Sequence, residues 1–334
     1  MPRRRSRGDL NRPAMEYTPV IFEHAASFIG KRPWEVSRDA DLLFEAHAAA
    51  YRVYGHAPIV VGIDVYNVEA EAYGARVEDP GGYEVPTVAR TLCGSAAEIV
   101  QLKSYDAVAT GRFPLILQAA RRLRGEFPRA EIRIPLSGPF SIACGLAGFQ
   151  DLLMAMIEDP DIVVEALMRL AEDQVRLCRR IADEGFRAII FESSASPPLV
   201  SPALFERVVF PSLRVLVGES APLTGEPPPL ILGGDTARIL PLLVATGTSY
   251  LICPAETNTR QFMDEAARHP SVSVRINVRP GLFAPGPEEP LFEALRAAVT
   301  AAGERPRTSV GTGVLPYDAV PGRVLKGKSL VEGA

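Results

Sequence analysis

What most constrains this chain is a repeated unit: a short apolar run, then a polar residue, then a stretch with helical spacing. Its clearest instance is Pro58 to Ala75, PIVVGIDVYNVEAEAYGA. Ile59-Val60-Val61-Gly62-Ile63 is apolar throughout and rich in β-branched side chains, which is how a strand buried on both faces reads. The run stops at Asp64, and Asn67, Glu69 and Glu71 follow in a helical stretch. A carboxylate therefore stands where a buried strand emerges. In parallel α/β folds that rim is where ligands bind. The competing reading is that Asp64 or Asn67 only caps the next helix.

The unit recurs along the chain. Apolar runs at 19–23, 59–63, 131–136, 188–191, 230–232, 250–253, 272–278 and 308–310 give eight expected strands. Between them, Asp39 to Tyr54 places Leu42, Leu43, Ala46, Ala50 and Val53 on one helical face. Residues 140–184 read as the longest helical region, broken at Pro160. Ser201-Pro202 opens a further helix with proline in its first turn. Residues 76–110 have weak periodicity and a Pro-Gly-Gly turn at 80–82, so a long excursion with small helices is expected. Eight strands alternating with helices, with no linker to divide them, predict an α/β chain folded as a single (β/α)8 TIM-type barrel. The domain is expected over 12–328, with a disordered basic tail at 1–11 and a C-terminal tail at 329–334. A doubly wound open sheet is the alternative, but no G-x-G-x-x-G follows a strand and no P-loop is present.

Composition narrows the function. The formal charge of −4 offers no basic field for a phosphate backbone, so nucleic acid is not an expected partner. Cys93, Cys144, Cys178 and Cys253 lie far apart with no C-x-x-C pair, which suits a reduced, cytoplasmic chain. No apolar run approaches the roughly 20 residues needed to span a bilayer. The basic start, MPRRRSRGDL, has no apolar stretch after it and is read as no secretion signal.

In a barrel the residues at the strand ends share one cavity. They are Glu23 and His24, Asp64 and Tyr66, Ser137, Glu192 and Ser193, Gly234 and Asp235, Cys253 and Glu256, Asn277 and Arg279, and Thr312 with Tyr317. This acidic set suits proton transfer, or the holding of an NH-rich or cationic ligand by carboxylates. Several members have a plainer reading. His24, beside small residues, also fits a core histidine. Cys253, between Ile252 and Pro254, fits inert packing. Asp235 is placed to cap a helix starting at Thr236. Glu69 and Glu71, two apart, cannot share a helix face, so at most one faces the cavity and the other is a solvated charge.

Four segments, PLSGPFSIACGLAGFQDLLMAMIEDPDIV, SPALFERVVFPSL, LILGGDTARIL and GTGVLPYDAVP, resemble the uroporphyrinogen decarboxylase superfamily over about residues 12–328. Within it the chain looks closer to the corrinoid-linked methyltransferases than to the porphyrinogen decarboxylases. The resemblance implies a barrel enzyme acting on a tetrapyrrole, or on a methyl donor and acceptor, with cobalamin as substrate or carried on a corrinoid protein. A homodimer is compatible with it. The decarboxylases' pyrrole-binding aspartate corresponds to Asp64. Their arginine-rich turn after the first strand is replaced by FEHAASF, which carries Glu23 and His24 and no arginine. The methyltransferases' zinc-binding His-x-Cys pair and C-terminal cysteine fall at Ile231, Gly233 and Thr312, none of which can hold zinc. The leading expectation is therefore corrinoid-linked methyl transfer, with Asp64, Glu23, His24 and Glu192 positioning the acceptor and moving its proton. Tyr66, Glu69, Ser137, Gly234, Asp235, Cys253, Asn277, Arg279 and Tyr317 would line the substrate site. The alternatives are a decarboxylase and a barrel that binds a tetrapyrrole without turnover.

Overall fold

In the computed structural model, which describes residues 15–106 and 109–334, the apolar runs do become parallel strands. The strands are β1 (Tyr17–Val20), β2 (Ile59–Val60), β3 (Arg76–Glu78), β4 (Thr87–Arg90), β5 (Ile132–Ser137), β6 (Arg187–Phe191), β7 (Leu230–Ile231), β8 (Tyr250–Cys253), β9 (Ser273–Val278) and β10 (Thr308–Val314). Eight of them form two four-stranded parallel sheets, ordered β1-β10-β9-β8 and β2-β5-β6-β7. These are the two halves of a (β/α)8 TIM-type barrel, with helices alternating along the chain and packed outside. β3 and β4 form a separate antiparallel hairpin.

Side chains alternate across each strand. Val20, Phe22, Val65, Ile189, Phe191, Ile231 and Ile252 form one apolar cluster, which fills the lumen. Their neighbours, among them Ile190, Leu251, Cys253, Val274, Ile276 and Val310, belong to the larger layer between strands and helices. Burial on both faces is why the runs are continuous rather than alternating. Each such Leu, Ile or Phe contributes about 1.5–3 kcal/mol relative to an exposed position.

Helix ends follow their local chemistry. Asp39 Oδ1 accepts from the backbone N–H groups of Asp41 and Leu42 at 2.7 and 3.0 Å, opening the helix Ala40–Tyr54. Leu43, Ala46 and Ala50 are buried as expected, while Val53 remains 42% exposed. Pro160 does begin a new helix, Pro160–Asp183, with Asp159 accepting from Ile162 N at 3.4 Å.

Four details differ from the sequence reading. β1 lies two residues earlier than expected, so Glu23 is the first residue of a helix, Glu23–Ser27, rather than the end of a strand. The region before Pro160 is two helices, Pro139–Ala147 and Phe149–Glu158, because Gly148 takes φ +91 between them. The excursion at 76–110 holds the β3–β4 hairpin, with Pro80-Gly81-Gly82 in its connection, besides the small helix Ala96–Val100. The last helix, Pro321–Glu332, runs past the expected boundary at 328, so 329–332 are not a tail. The tail expected at 1–11 lies outside the described residues. Among the described residues no single helix is long and apolar enough to cross a membrane.

Candidate active site

Asp64 lies just beyond β2, and its side chain is only 4% exposed. It is engaged by Arg112, from the residue preceding the helix Phe113–Glu126. Arg112 Nη1 donates to Oδ1 at 2.5 Å and Nη2 to Oδ2 at 2.8 Å, a two-pronged pair. The same guanidinium donates to Asn67 Oδ1 at 3.1 Å and to Glu71 Oε2 at 2.6 Å. Burial works against the charge on Arg112, but Asp64 and Glu71 outweigh it and raise its pKa. The helix Val68–Tyr73 has no side-chain cap, so Asp64 and Asn67 are not capping residues. Glu71 is no solvated charge either, since it pairs with both Arg112 and Arg38. Sequence reasoning missed Arg112 because it lies 48 residues from Asp64, just past the weakly periodic stretch at 76–110.

Several expected site residues are turned into the structure behind the rim. Glu69 is fully buried. Its Oε1 accepts from Ser137 N at 2.8 Å and from Gln174 Nε2 at 3.0 Å, and its Oε2 accepts from Ser137 Oγ at 2.8 Å. Burial raises its pKa, and the donors from Ser137 and Gln174 oppose that. Glu192, expected in the cavity, instead caps the helix Pro139–Ala147 from the neighbouring strand. Oε2 accepts from Phe140 N at 2.9 Å, and Oε1 from Ser141 N at 2.8 Å and Ser141 Oγ at 2.5 Å. Burial pushes this carboxyl up to about 7, against the pull of those donors. Gly138 leaves room for it, since a Cβ there would collide with the Glu192 carboxyl.

His24 is a core histidine. Its Nε2 lies 2.8 Å from Tyr54 Oη and its Nδ1 3.2 Å from Tyr317 O, while its ring packs against Phe28 and Tyr54. A carbonyl only accepts, so Nδ1 carries the proton and Nε2 accepts from the tyrosine. Burial lowers the His24 pKa and favours this neutral form. Cys253 sits in the outer apolar layer, while its neighbour Ile252 faces the lumen. Burial pushes the thiol up to about 12, which leaves it unreactive. Asn277 accepts from Arg275 Nε at 2.8 Å. Thr312 Oγ1 accepts from Val20 N at 3.1 Å.

The mouth itself keeps a smaller set. Its floor is apolar: Phe22 and Phe191 pack 5.5 Å apart, with Val65 in the same cluster. Above the floor stands Glu23. Burial pushes its carboxyl up to about 7, its own backbone N–H opposes, and the charges of Asp64 and Glu84 add to the rise. Glu84 lies in the connection between β3 and β4, where Tyr83 stacks on Tyr317 with ring centroids 4.2 Å apart. The hairpin thus reaches over the rim. Tyr66, 38% exposed, donates through Oη to Ser193 Oγ at 2.8 Å. A Cβ on Gly233 would lie 3.7 Å from Ser193 Oγ, so there is room beside that hydroxyl. Gly234 has φ +73 and could not carry a side chain, because a Cβ would come within 2.6 Å of Pro197 O and Ser196 Oγ. Asp235 follows, with Oδ1 buried and bonded to nothing. Its side chain therefore makes no cap through that atom. Arg279 and Glu256 are exposed beyond β9 and β8. An apolar floor ringed by one tuned carboxyl, a tyrosine–serine pair and a stacked tyrosine pair can shelter a flat or apolar group and move one proton.

The zinc positions implied by the resemblance do not fit the metal. Ile231 is part of the lumen cluster, Gly233 has no side chain and Thr312 is held at the β1–β10 seam. Among the described residues, no three His, Cys, Asp or Glu side chains are grouped to hold an ion.

The family model described as uroporphyrinogen decarboxylase (URO-D) matches residues 5–317. Comparison with curated proteins gives no match. Among solved structures, a methyltransferase from Methanosarcina mazei superposes with a TM-score of 0.81 at 18% identity, over 96% of this chain and 93% of the other. A B12-independent methionine synthase from Shewanella sp. W3-18-1, in complex with selenomethionine, gives 0.52 at 12% identity, over 88% and 85%. At these identities the likeness is one of fold.

Proposed function

The chain belongs to the uroporphyrinogen decarboxylase family, and from that premise we propose that it is a methyltransferase, moving a methyl group between a corrinoid and a small acceptor at the barrel mouth. The observation that carries the reading is the division of labour between two carboxylates. Asp64 already accepts the two-pronged Arg112 on both oxygens, so it is poorly placed to gather pyrrole N–H groups. Glu23, not so engaged and held near 7, is matched to taking a proton from an acceptor at neutral pH. The fold likeness to the Methanosarcina methyltransferase agrees with this.

The corrinoid, free or on a partner protein, would supply or receive the methyl carbon. Phe22, Val65 and Phe191 would present the apolar floor, and the Tyr83–Tyr317 stack would cover it from above. Glu23 would accept the proton of the acceptor as its nucleophilic atom attacks the methyl carbon. The Tyr66–Ser193 pair would orient the acceptor's polar end.

The test is incubation of the purified protein with methylcobalamin and a panel of thiol, folate and phenolate acceptors, followed by absorbance and product analysis. Acceptor-dependent demethylation is expected, with a large loss in Glu23→Gln. A carboxy-lyase is the second reading, since Glu23 half-protonated near pH 7 could equally donate a proton to a carbanion. Carbon dioxide release from a porphyrinogen, with no demethylation across the panel, would replace the first reading by the second.

A further inference from the structure

A large cavity of the described structure lies away from the mouth. It opens at the opposite end of the barrel, among the N-terminal ends of the strands, and has a volume of about 1140 Å³. Ligand pockets are commonly ~300–1000 Å³. Its inner wall is apolar, formed by Val20, Ile189, Phe191 and Ile231. Into it reaches Arg275, from the middle of β9, only 5% exposed. The barrel makes room for this side chain: a Cβ on Gly311, in the neighbouring strand, would lie 2.6 Å from Arg275 Cδ.

Arg275 is unlike the other arginines of this cavity. Arg133 pairs with Glu131 and Glu226. Arg305 donates to the carbonyls of Ala266, His269 and Val272, and Arg307 to that of Ser271. Arg275 donates only through Nε, to Asn277. Among the described residues its two terminal nitrogens have no partner, and no carboxylate forms an ion pair with it. Its charge is felt by Glu16, another residue of the cavity lining. On the same lining His56 is 3% exposed with neither ring nitrogen bonded. A guanidinium whose free donors open into a cavity can pair with an anion there. Its planar fork fits a carboxylate.

We propose that the foot of the barrel binds a small carboxylic acid with an apolar body, its carboxylate paired with the terminal nitrogens of Arg275 and its carbon chain against Val20, Ile189, Phe191 and Ile231. The site shares Phe191 with the floor of the mouth but opens at the other end of the barrel, and it does not rest on the methyl-transfer reading.

Octanoate is the probe, titrated calorimetrically into the full chain, with octanol and inorganic phosphate in parallel. Octanoate binds, and octanol and phosphate each bind at least about tenfold more weakly. Arg275→Met, which keeps the bulk of the stem, weakens octanoate by about thirtyfold or more and leaves octanol unchanged. Hydrogen exchange on the wild type shows octanoate protecting Ser273–Asn277 and Thr308–Thr312. Should Arg275→Met fail to fold, Arg275→Lys takes its place: it keeps the charge, loses the fork and weakens octanoate by a smaller factor. The proposal is overturned if the wild type does not bind octanoate, if octanol binds as well, or if a folded Arg275 variant binds unchanged. Protection confined to segments 62–66 and 192–196 at the mouth also overturns it. Phosphate binding as tightly as octanoate overturns the apolar-body assignment.

Discussion

Replacing Asp64 by Asn tests whether this residue is chiefly a partner for Arg112 or chiefly a ligand holder. The side chain keeps its size and loses its charge. Arg112 then keeps Glu71 Oε2 at 2.6 Å and Asn67 Oδ1 at 3.1 Å, but loses the two-pronged contact to Asp64. Removing one partner of a buried ion pair costs about 3–5 kcal/mol. With Glu71 still in place, the low end, about 3 kcal/mol, is expected. An unfolding entropy of about 2.1 cal/mol/K per residue gives ~0.7 kcal/mol/K for this chain, so Tm falls by about 4 °C. The assay is calorimetry with urea unfolding followed by circular dichroism, on Asp64→Asn, Arg112→Met and the double variant. The double variant leaves no orphaned charge at Asp64–Arg112, so its loss falls short of the sum of the singles by about 1–3 kcal/mol. Stability within about 1 kcal/mol of the wild type for Asp64→Asn, with losses adding within about 0.5 kcal/mol, would refute the reasoning. Asp64 would then be free to act on a ligand.

Three further outcomes follow from the geometry. If Glu23 is the proton acceptor, its ionised form is the active one. The rate constant for transfer then rises about tenfold per pH unit below about 7 and levels off above it, and Glu23→Gln removes the break. Glu192→Gln puts an amide NH2 against the N–H groups of Phe140 and Ser141, leaving one buried donor unmatched; it lowers stability by about 1–3 kcal/mol in urea unfolding while the folded variant keeps its kcat. Gly311→Ala drives a Cβ into the Thr18 carbonyl and the Arg275 stem, so soluble yield and Tm both fall, by about 3 kcal/mol or more in unfolding free energy.

The barrel was legible because its strands are buried on both faces, and such runs stand out without an alignment. The errors came where a run outlasts its ladder: Ile21 and Phe22 continue the apolar character of β1 after pairing has ended, which carried the expected strand to Glu23. The site was legible only as a list of strand ends, and the list ignored alternation. Phe191 fills the lumen, so the next residue, Glu192, points the other way and meets a helix end. Ile252 fills the lumen, so Cys253 meets the outer layer. Period-two counting from the last lumen residue would have sorted both. No local pattern could have supplied Arg112, because its partner is set by tertiary packing across 48 residues. Nor could the first-strand motif show that His24 is satisfied by Tyr54 and the Tyr317 carbonyl, the latter 293 residues away. A strand end gives a residue its address at the rim, but its alternation phase and the nearest unpaired donor decide whether it faces substrate. Here alternation moves Glu192 and Cys253 into the scaffold, and satisfied partners move Glu69 and His24 there; Glu23 also follows a lumen residue, Phe22, but it opens a helix, so strand alternation does not govern it and it stays in contention.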